Sequence, residues 1–323
     1  MRILTARSAA EMERLRPAWQ ELYAAGNCTR FQSFSWNQLA ARVFGQRHWP
    51  NVIFAETDAG AAIIPAVLTD NGTRISFMGD ALFDYRDVLF QGDAYVLECA
   101  WQELAALNLP LSLLAVRGDD NWALWRDFDP HFFCNAPGVR LEDGSADQFA
   151  ASHSRLGRQI RRLQRQGCRL ERRSGAESDL LAWIYRQKSA QMAGDPHNLF
   201  IDQSRIHFVL AAAAAEPEAW EIFTLERESH VIAALVTFTD RGDRRFYTVY
   251  YDHGWSRYSP GSALLYEATR LSLDEGLNCD YMTGEQSHKT RLATSRVPLY
   301  RVELSSTRLR CVVDPEAEMQ PAA

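Results

Sequence analysis

Short apolar runs alternate with turn residues along the first half of the chain, which predicts a mixed α/β fold. The runs NVIFAET and AAIIPAVLT are separated by Asp58-Ala59-Gly60, a signal for a hairpin. A third strand is expected at 74–78, and an amphipathic helix at 94–107 leads into the run LSLLAVRG. Before these strands, residues 10–25 and 35–44 have helical spacing, with Ser35 as the expected N-cap of the second helix.

The second half of the chain repeats this order of elements. The runs EIFTLE, VIAALVTFT and RRFYTVYY precede a helix at 261–275 and a strand at 279–282. The turn Thr69-Asp70-Asn71-Gly72 aligns with Thr239-Asp240-Arg241-Gly242, and a duplicated domain explains this better than chance. The predicted organisation is an N-terminal domain at 1–150, a linking helix and strand at 151–175, and a C-terminal domain at 176–323.

The composition is that of a globular protein, with 46% hydrophobic and 24% charged residues. A net charge of −6 argues against broad binding of duplex nucleic acid. The N-terminus has no apolar signal core and no window is apolar enough for a membrane span, so we expect a cytoplasmic protein. The six cysteines and eight histidines show no metal-ligand spacing, and no metal is expected.

An arginine-rich segment joins the two halves, with eight arginines within residues 153–173. Leu156, Ile160 and Leu163 form its apolar stripe, and Gly167 is the expected end of the helix. The segment is either a solvated linking helix or a site for phosphate or carboxylate groups, which arginine binds in a bidentate manner. In the second case, Arg158 and Arg162 would hold a phosphate-bearing acceptor.

The most informative stretch runs from residue 246 to residue 289. Its strand is followed by a loop with Arg257, Ser259, Pro260 and Gly261, which opens a helix. The free amides of residues 261–263 would point at an anion, helped by the helix dipole, and this geometry suits a pyrophosphate. The alternative is an ordinary Pro-Gly turn into a helix.

Three polar residues lie at or past the end of the next predicted strand, and ligands of open α/β sheets bind at such strand ends. Asp280 and Glu285 are candidate proton acceptors, and Lys289 is a candidate for stabilising an oxyanion or binding a phosphate. Asp280 could equally be a structural partner of Lys289.

Several motifs, in order and spacing, resemble the CelD/BcsL-type acetyltransferase family of cellulose biosynthesis, which is related to the FemAB aminoacyl transferases of peptidoglycan synthesis. They are Thr29-Arg30-Phe31-Gln32-Ser33 with Trp36, the run AAIIPAVL, Phe83-Asp84-Tyr85-Arg86-Asp87, Arg158-Gln159-Ile160-Arg161-Arg162 with Gly167, Ser259-Pro260-Gly261-Ser262-Ala263-Leu264-Leu265, and Asp280, Gly284, Glu285 and Lys289. Together they span residues 15–302. Two positions depart from the pattern: Ser259 stands where a glycine is usual, and His288 where an aromatic residue is more frequent.

The resemblance implies two tandem GNAT (acetyltransferase-fold) domains, the first degenerate and the second retaining the acyl-donor loop. It implies transfer from acetyl-CoA or another acyl-CoA to an amine or hydroxyl of a small-molecule or glycan-linked acceptor. The donor would lie against Val249, Tyr251, Arg257, Ser259, Gly261, Ser262 and Ala263, with an amide near Val249–Tyr251 facing the oxyanion.

Two other functions remain open from the sequence: aminoacyl transfer from tRNA, as in the Fem branch, and a non-catalytic module of a polysaccharide-synthesis assembly, which could be docked at a membrane. On the acceptor side, Trp36 and Tyr85 are either core aromatics or substrate-binding aromatics of the cleft wall, and neither is expected to be catalytic. The turn Asp195-Pro196-His197-Asn198 could line the same cleft through His197.

Overall fold

The computed structural model describes residues 1–117 and 125–314, which form two compact units. The first unit comprises Met1–Cys134 together with the chain from Pro298 onward, and the second comprises Asn135–Val297. These bounds differ from the predicted ranges 1–150, 151–175 and 176–323, because the last strand and helix pack with the first unit. No helix within the described residues is long and apolar enough to cross a membrane.

The first unit contains the following helices and strands: β1 (Arg2–Ala6), α1 (Ala9–Met12), α2 (Arg16–Ala25), α3 (Phe34–Phe44), β2 (Trp49–Pro50), β3 (Val52–Thr57), β4 (Gly60–Ile64), β5 (Ala66–Thr69), β6 (Arg74–Phe77), β7 (Leu89–Gly92), α4 (Ala94–Ala105) and β8 (Leu111–Arg117). The strands β9 (His131–Val139) and β15 (Ser295–Leu304) extend across the unit boundaries, and α11 (Ser306–Val313) follows β15. One sheet has the order β1-β3-β4-β7, and β15-β8-β6-β5-β2 are neighbours in the other.

Two local predictions in this unit are wrong. The run AAIIPAVLT is not one strand, because Pro65, which has no amide hydrogen, separates β4 from β5, and the two strands belong to different sheets. The N-cap of α3 is Ser33 and not Ser35, since the Ser33 hydroxyl accepts the hydrogen bond from the Trp36 amide.

The second unit continues with these elements: α5 (Ala146–Ser152), α6 (Ser154–Arg165), β10 (Arg169–Ser174), α7 (Ser178–Gln191), α8 (Gln203–Ala215), β11 (Trp220–Arg227), β12 (His230–Asp240), β13 (Asp243–Tyr251), α9 (Pro260–Asp274), β14 (Asn278–Asp280) and α10 (Ser287–Thr290). Its strands have the order β10-β11-β12-β13-β14-β9. The apolar face of α9, with Ala263, Leu264 and Ala268 fully buried, packs on this sheet.

Each unit repeats one connection, as the sequence predicted: an antiparallel hairpin, a helix, and a strand parallel to the hairpin's second strand. In the first unit β5 pairs with β6 and β6 runs parallel to β8, while in the second β12 pairs with β13 and β13 runs parallel to β14. The units differ in the length of the central strand, because β6 has four residues and β13 has nine.

The parallel pairing of β13 and β14 is short. It joins only residues 243–245 to residues 278–280, and β13 then continues to Tyr251 while β14 has ended. A bulge at Tyr247 lies just past the paired segment, since Val236 faces Thr248 and Thr237 faces Phe246. The two strands therefore diverge beyond Arg245.

A buried ion-pair cluster fixes the point of divergence. The guanidinium of Arg245, which is 3% exposed, bonds Asp280 at the last paired position and also Asp240, with 3.0 Å between Nε and Oδ2. Asp280 in turn accepts a 2.7 Å hydrogen bond from the Met282 amide. Met282 has a φ of 65°, which turns the chain after β14.

We predict that Arg245→Gln destabilises the protein by about 3–5 kcal/mol in urea denaturation, because it leaves buried carboxylates without their counter-charge. The matched control is Arg173→Gln, which breaks a partly exposed pair with Glu226 and should cost about 0–1 kcal/mol. Equal losses in the two variants would show that the buried cluster has no special role.

Candidate functional site

Within the described residues, the edge of β13 at Val249 and Tyr251 has no neighbouring strand to accept from its backbone amides. The Asp252 amide donates to the carbonyl of Ile232 on β12, and backbone groups alternate in direction along a strand. The amide of Tyr250 therefore faces β12, and the amides of Val249 and Tyr251 face the opposite edge, where β14 has ended.

Helix α7 supports this edge from its last turn. The Gln191 amide nitrogen donates to the Tyr251 carbonyl at 3.2 Å, which confirms that the backbone of Tyr251 faces away from β12. Lys188 lies three residues before Gln191 and therefore on the same side of the helix.

The loop between β13 and α9 ends in a strained residue. Ser259 has φ 48° and ψ 52°, a left-handed conformation that glycine adopts without cost, and it precedes Pro260 at the start of the helix. The amides of Gly261 and Ser262 lie in the first turn and have no intrahelical acceptor. The Ala263 amide, also predicted to be free, instead donates to the Ser259 carbonyl at 3.0 Å.

A cavity of about 250 Å³ opens between these two sets of amides. It is lined by Val249, Tyr251, Ser256, Ser259, Pro260, Gly261, Ser262, Ser287 and His288. Four serines and the first turn of α9 contribute polar groups to its wall. The structure thus brings together five of the predicted donor residues, whereas Ala263 is fully buried in the core and Arg257 lies exposed outside the lining.

Gly261 lies close against the Tyr251 side chain. A Cβ atom at this position would lie 3.2 Å from Cδ1 of Tyr251, closer than an ordinary van der Waals contact. The absence of a side chain therefore lets the first turn of α9 lie directly against β13 and keeps the cavity open.

His288 is a functional candidate that the sequence did not assign. Burial lowers the pKa of His288, and the positive charges of Lys289 and Lys188 lower it further. Burial also lowers the pKa of Lys188, which has no ion-pair partner within the described part of the chain. His288 is consequently neutral at pH 7, so that its ring can accept a proton.

The three predicted catalytic residues at and after the end of β14 have other contacts. Asp280 is buried and ion-paired with Arg245, which makes it a structural residue and not a free base. Glu285 is exposed and accepts a 3.0 Å hydrogen bond from Asn135 outside the cavity lining. The Lys289 ammonium donates to the Thr283 carbonyl at 2.8 Å, and its charge acts on His288.

The arginines of α6 are exposed, and one of them lies beside the donor loop. The guanidinium carbons of Arg162 and Arg257 are each 4.7 Å from the centre of the Tyr258 ring. Arg158 is exposed, and its guanidinium donates a long hydrogen bond of 3.5 Å to the Ser154 hydroxyl of its own helix. The structure therefore associates Arg162 with the donor loop, and it gives no support to the predicted acceptor role.

The predicted acceptor aromatics are core residues. Trp36 and Tyr85 are 1% and 2% exposed, and both pack at right angles against Phe31 in the first unit. Their burial excludes the predicted contact with a substrate. His197 is exposed in the predicted turn, where its amide donates to Asp195 at 2.8 Å, and it does not line the donor cavity.

One signal in the sequence could have indicated His288. The chain has only two lysines, Lys188 and Lys289, among 35 basic residues, and both act on this histidine. Ser256 and Ser287 gave no comparable signal, because isolated serines are frequent in loops.

Comparison with protein families agrees with this geometry. Residues 150–290 match the sequence model of a family described as Acetyltransferase (GNAT) domain. The fold is that of two tandem GNAT domains. A search of curated proteins found no match by sequence. Among the described residues, no group of histidine, cysteine or carboxylate side chains has the arrangement of a metal site.

Several solved structures share the fold over nearly the whole chain. The C-terminal domain of a putative lysylphosphatidylglycerol synthetase from Agrobacterium fabrum superposes with a TM-score of 0.60 at 12% identity, covering 96% of this chain and 97% of that one. FemX superposes with a TM-score of 0.58 at 10% identity, covering 97% of this chain and 100% of the FemX chain. A tandem GNAT protein of the clavulanic acid biosynthesis pathway superposes with a TM-score of 0.52 at 8% identity, covering 94% of this chain and 98% of that one. Identities this low establish the fold alone.

We predict that Ser259→Gly raises the free energy of unfolding by about 1 kcal/mol, because glycine adopts the left-handed conformation without strain. The control is Ser189→Gly within α7, where glycine should lower stability by about 0.5 kcal/mol. Urea denaturation of both variants gives the comparison, and a loss of stability in Ser259→Gly would contradict the strain.

Proposed function

We propose that the protein transfers an acyl group from an acyl-CoA, with acetyl-CoA as the simplest donor, to an amine or hydroxyl. The observation that carries this proposal is the pair of amide sets that face one cavity, at the edge of β13 and at the start of α9. The first set suits the amides and carbonyl of an extended thioester chain, and the second suits a pyrophosphate.

The cavity has the parts that acyl transfer needs. The acceptor attacks the thioester carbonyl, and the amide of Val249 or Tyr251 stabilises the negative charge that develops on the carbonyl oxygen. Neutral His288 takes the proton from the attacking amine or hydroxyl. The C–S bond then breaks, and the CoA sulfur leaves as a thiolate that takes up a proton.

We assign the acceptor to the sugar- or glycan-related class that the CelD/BcsL resemblance implies. For an acceptor of this class, we place the protein in the cytoplasm. We further propose that it associates peripherally with a polysaccharide-synthesis complex at the membrane. The exposed turn with His197 stays a candidate for the acceptor side.

The second candidate is aminoacyl transfer from tRNA, which the FemAB relationship implies. It is favoured by the similarity of fold to FemX and by the exposed arginines of α6. The two donors are distinguished by direct binding, because only acyl-CoA carries a pantetheine chain for the edge of β13. A protein that binds neither donor would be a non-catalytic module.

We predict that acetyl-CoA at 100 times its Kd stabilises the protein by about 2.7 kcal/mol in a thermal-shift titration. Gly261→Val should abolish this shift, because its side chain would meet Tyr251 and fill the cavity. Ala214→Val adds similar bulk at an exposed site of α8 and should keep the full shift. If Gly261→Val binds acetyl-CoA normally, the loop is only a turn.

We predict that the ring of His288 titrates below the ordinary value of about 6.5 in an NMR titration of the free protein. Since a neutral base is present only above its pKa, transfer should be retained at neutral pH and lost as the pH falls through this value. Lys188→Met removes a positive charge near the ring, so it should move the His288 pKa and the acid limb of kcat/KM upward together.

Two controls accompany this titration. His288→Gln should lose transfer while keeping the thermal shift with acetyl-CoA, which separates proton transfer from donor binding. Arg186→Met removes an exposed charge from the same helix and should leave the His288 pKa in place. A wild-type His288 that titrates at or above its ordinary value would contradict its role as the proton acceptor.

A further inference from the structure

Helix α6 carries an uncompensated positive charge. Its twelve residues include Arg155, Arg158, Arg161, Arg162 and Arg165 and no acidic residue, and all five arginines are exposed. Within the described ranges, no carboxylate lies at ion-pair distance from any of the five. Such a helix is unexpected in a chain with a net charge of −6, and like charges one turn apart repel each other.

The C-terminal half of α6 lies at the donor loop. Gly157 is near Tyr266 in the second turn of α9, where a Cβ atom would come within 3.2 Å of the Tyr266 hydroxyl. One and a half turns later, Arg162 lies over Tyr258, which directly precedes the loop into α9. The two helices therefore run antiparallel, with the last turn of α6 beside the first turn of α9.

A basic depression forms on this last turn. It is lined by Arg161, Gln164 and Arg165 and has a volume of about 490 Å³. Arg162 lies between Arg161 and Arg165 in sequence and packs on Tyr258, as does Arg257, which precedes Tyr258 at the donor loop. We call Arg161, Arg162, Arg165 and Arg257 the basic rim of the donor site.

The chemistry of CoA matches this arrangement. Its nucleotide end has a pyrophosphate, for which the first turn of α9 is suited, and a 3′-phosphomonoester with close to two negative charges at pH 7. Arginine binds such a group through charge-assisted, often bidentate hydrogen bonds. We infer that the basic rim holds the 3′-phosphate of the CoA donor and makes the protein discriminate CoA from dephospho-CoA. This inference rests on the proposed function.

The test compares the binding of acetyl-CoA and acetyl-dephospho-CoA by isothermal titration calorimetry at fixed ionic strength. We expect the wild-type protein to prefer acetyl-CoA by about tenfold or more, the lower range of what one charge-assisted hydrogen bond contributes. Arg161→Gln/Arg165→Gln should reduce this preference to about one while keeping the affinity for acetyl-dephospho-CoA. Arg162 is left unchanged in this variant because it packs on Tyr258.

The control variant is Arg155→Gln/Arg308→Gln, which removes the same charge at exposed sites outside the rim and should retain the preference. Equal wild-type affinity for the two donors, or a preference that survives Arg161→Gln/Arg165→Gln, would overturn the inference and leave the proposed function standing. If neither donor binds, the proposed function fails and this inference with it. The binding of bulk tRNA to both variants is measured as well. If Arg161→Gln/Arg165→Gln weakens the binding of tRNA but not that of acetyl-CoA, the rim binds nucleic acid and the inference is overturned.

Discussion

The buried ion pair between Arg245 and Asp280 determines where the donor site can form. It joins β13 and β14 at the last position of their pairing, and it holds the carboxylate that redirects the chain at Met282. Beyond this point β13 has a free edge, and an extended ligand can pair with the backbone of that edge. Removing the pair would expose buried charge and also loosen the point from which the strands diverge.

The two positive charges that act on His288 in the cavity belong to lysines and not to arginines. An arginine stays charged under all relevant conditions, whereas burial shifts the charge of a lysine readily. The chain uses lysine only at two positions, and the positive charges of both lower the pKa of His288. A carboxylate in their place would hold the histidine charged and unable to accept a proton.

The two units share one order of strands and helix but differ in the length of their central strand. In the second unit, β12 is continuous over eleven residues and supports a nine-residue β13. In the first unit, Pro65 divides the equivalent strand, and the central strand β6 ends at Phe77 after four residues. Within the described residues, the first unit therefore lacks a long central strand of the kind that lines the donor cavity.

The sequence by itself determined the repeated hairpin, helix and strand of the two halves, because hydrophobic periodicity, turn residues and helix caps act over a few neighbouring residues. It predicted no helix or strand between residues 176 and 219, where α7 and α8 lie. It also indicated the loop at Ser259–Ser262 as a candidate anion site, since the free amides and the dipole at the start of a helix favour an anion. It could not assign Asp280, Trp36 or Tyr85, because whether a polar or aromatic side chain meets a ligand or the core depends on residues far away in the chain. Only the tertiary structure showed that Asp280 pairs with Arg245. It also showed that His288 lines the cavity near Lys188, which lies a hundred residues earlier in the chain. The pKa of His288 responds to burial and to charges that are close in space, and neither can be read from the order of residues.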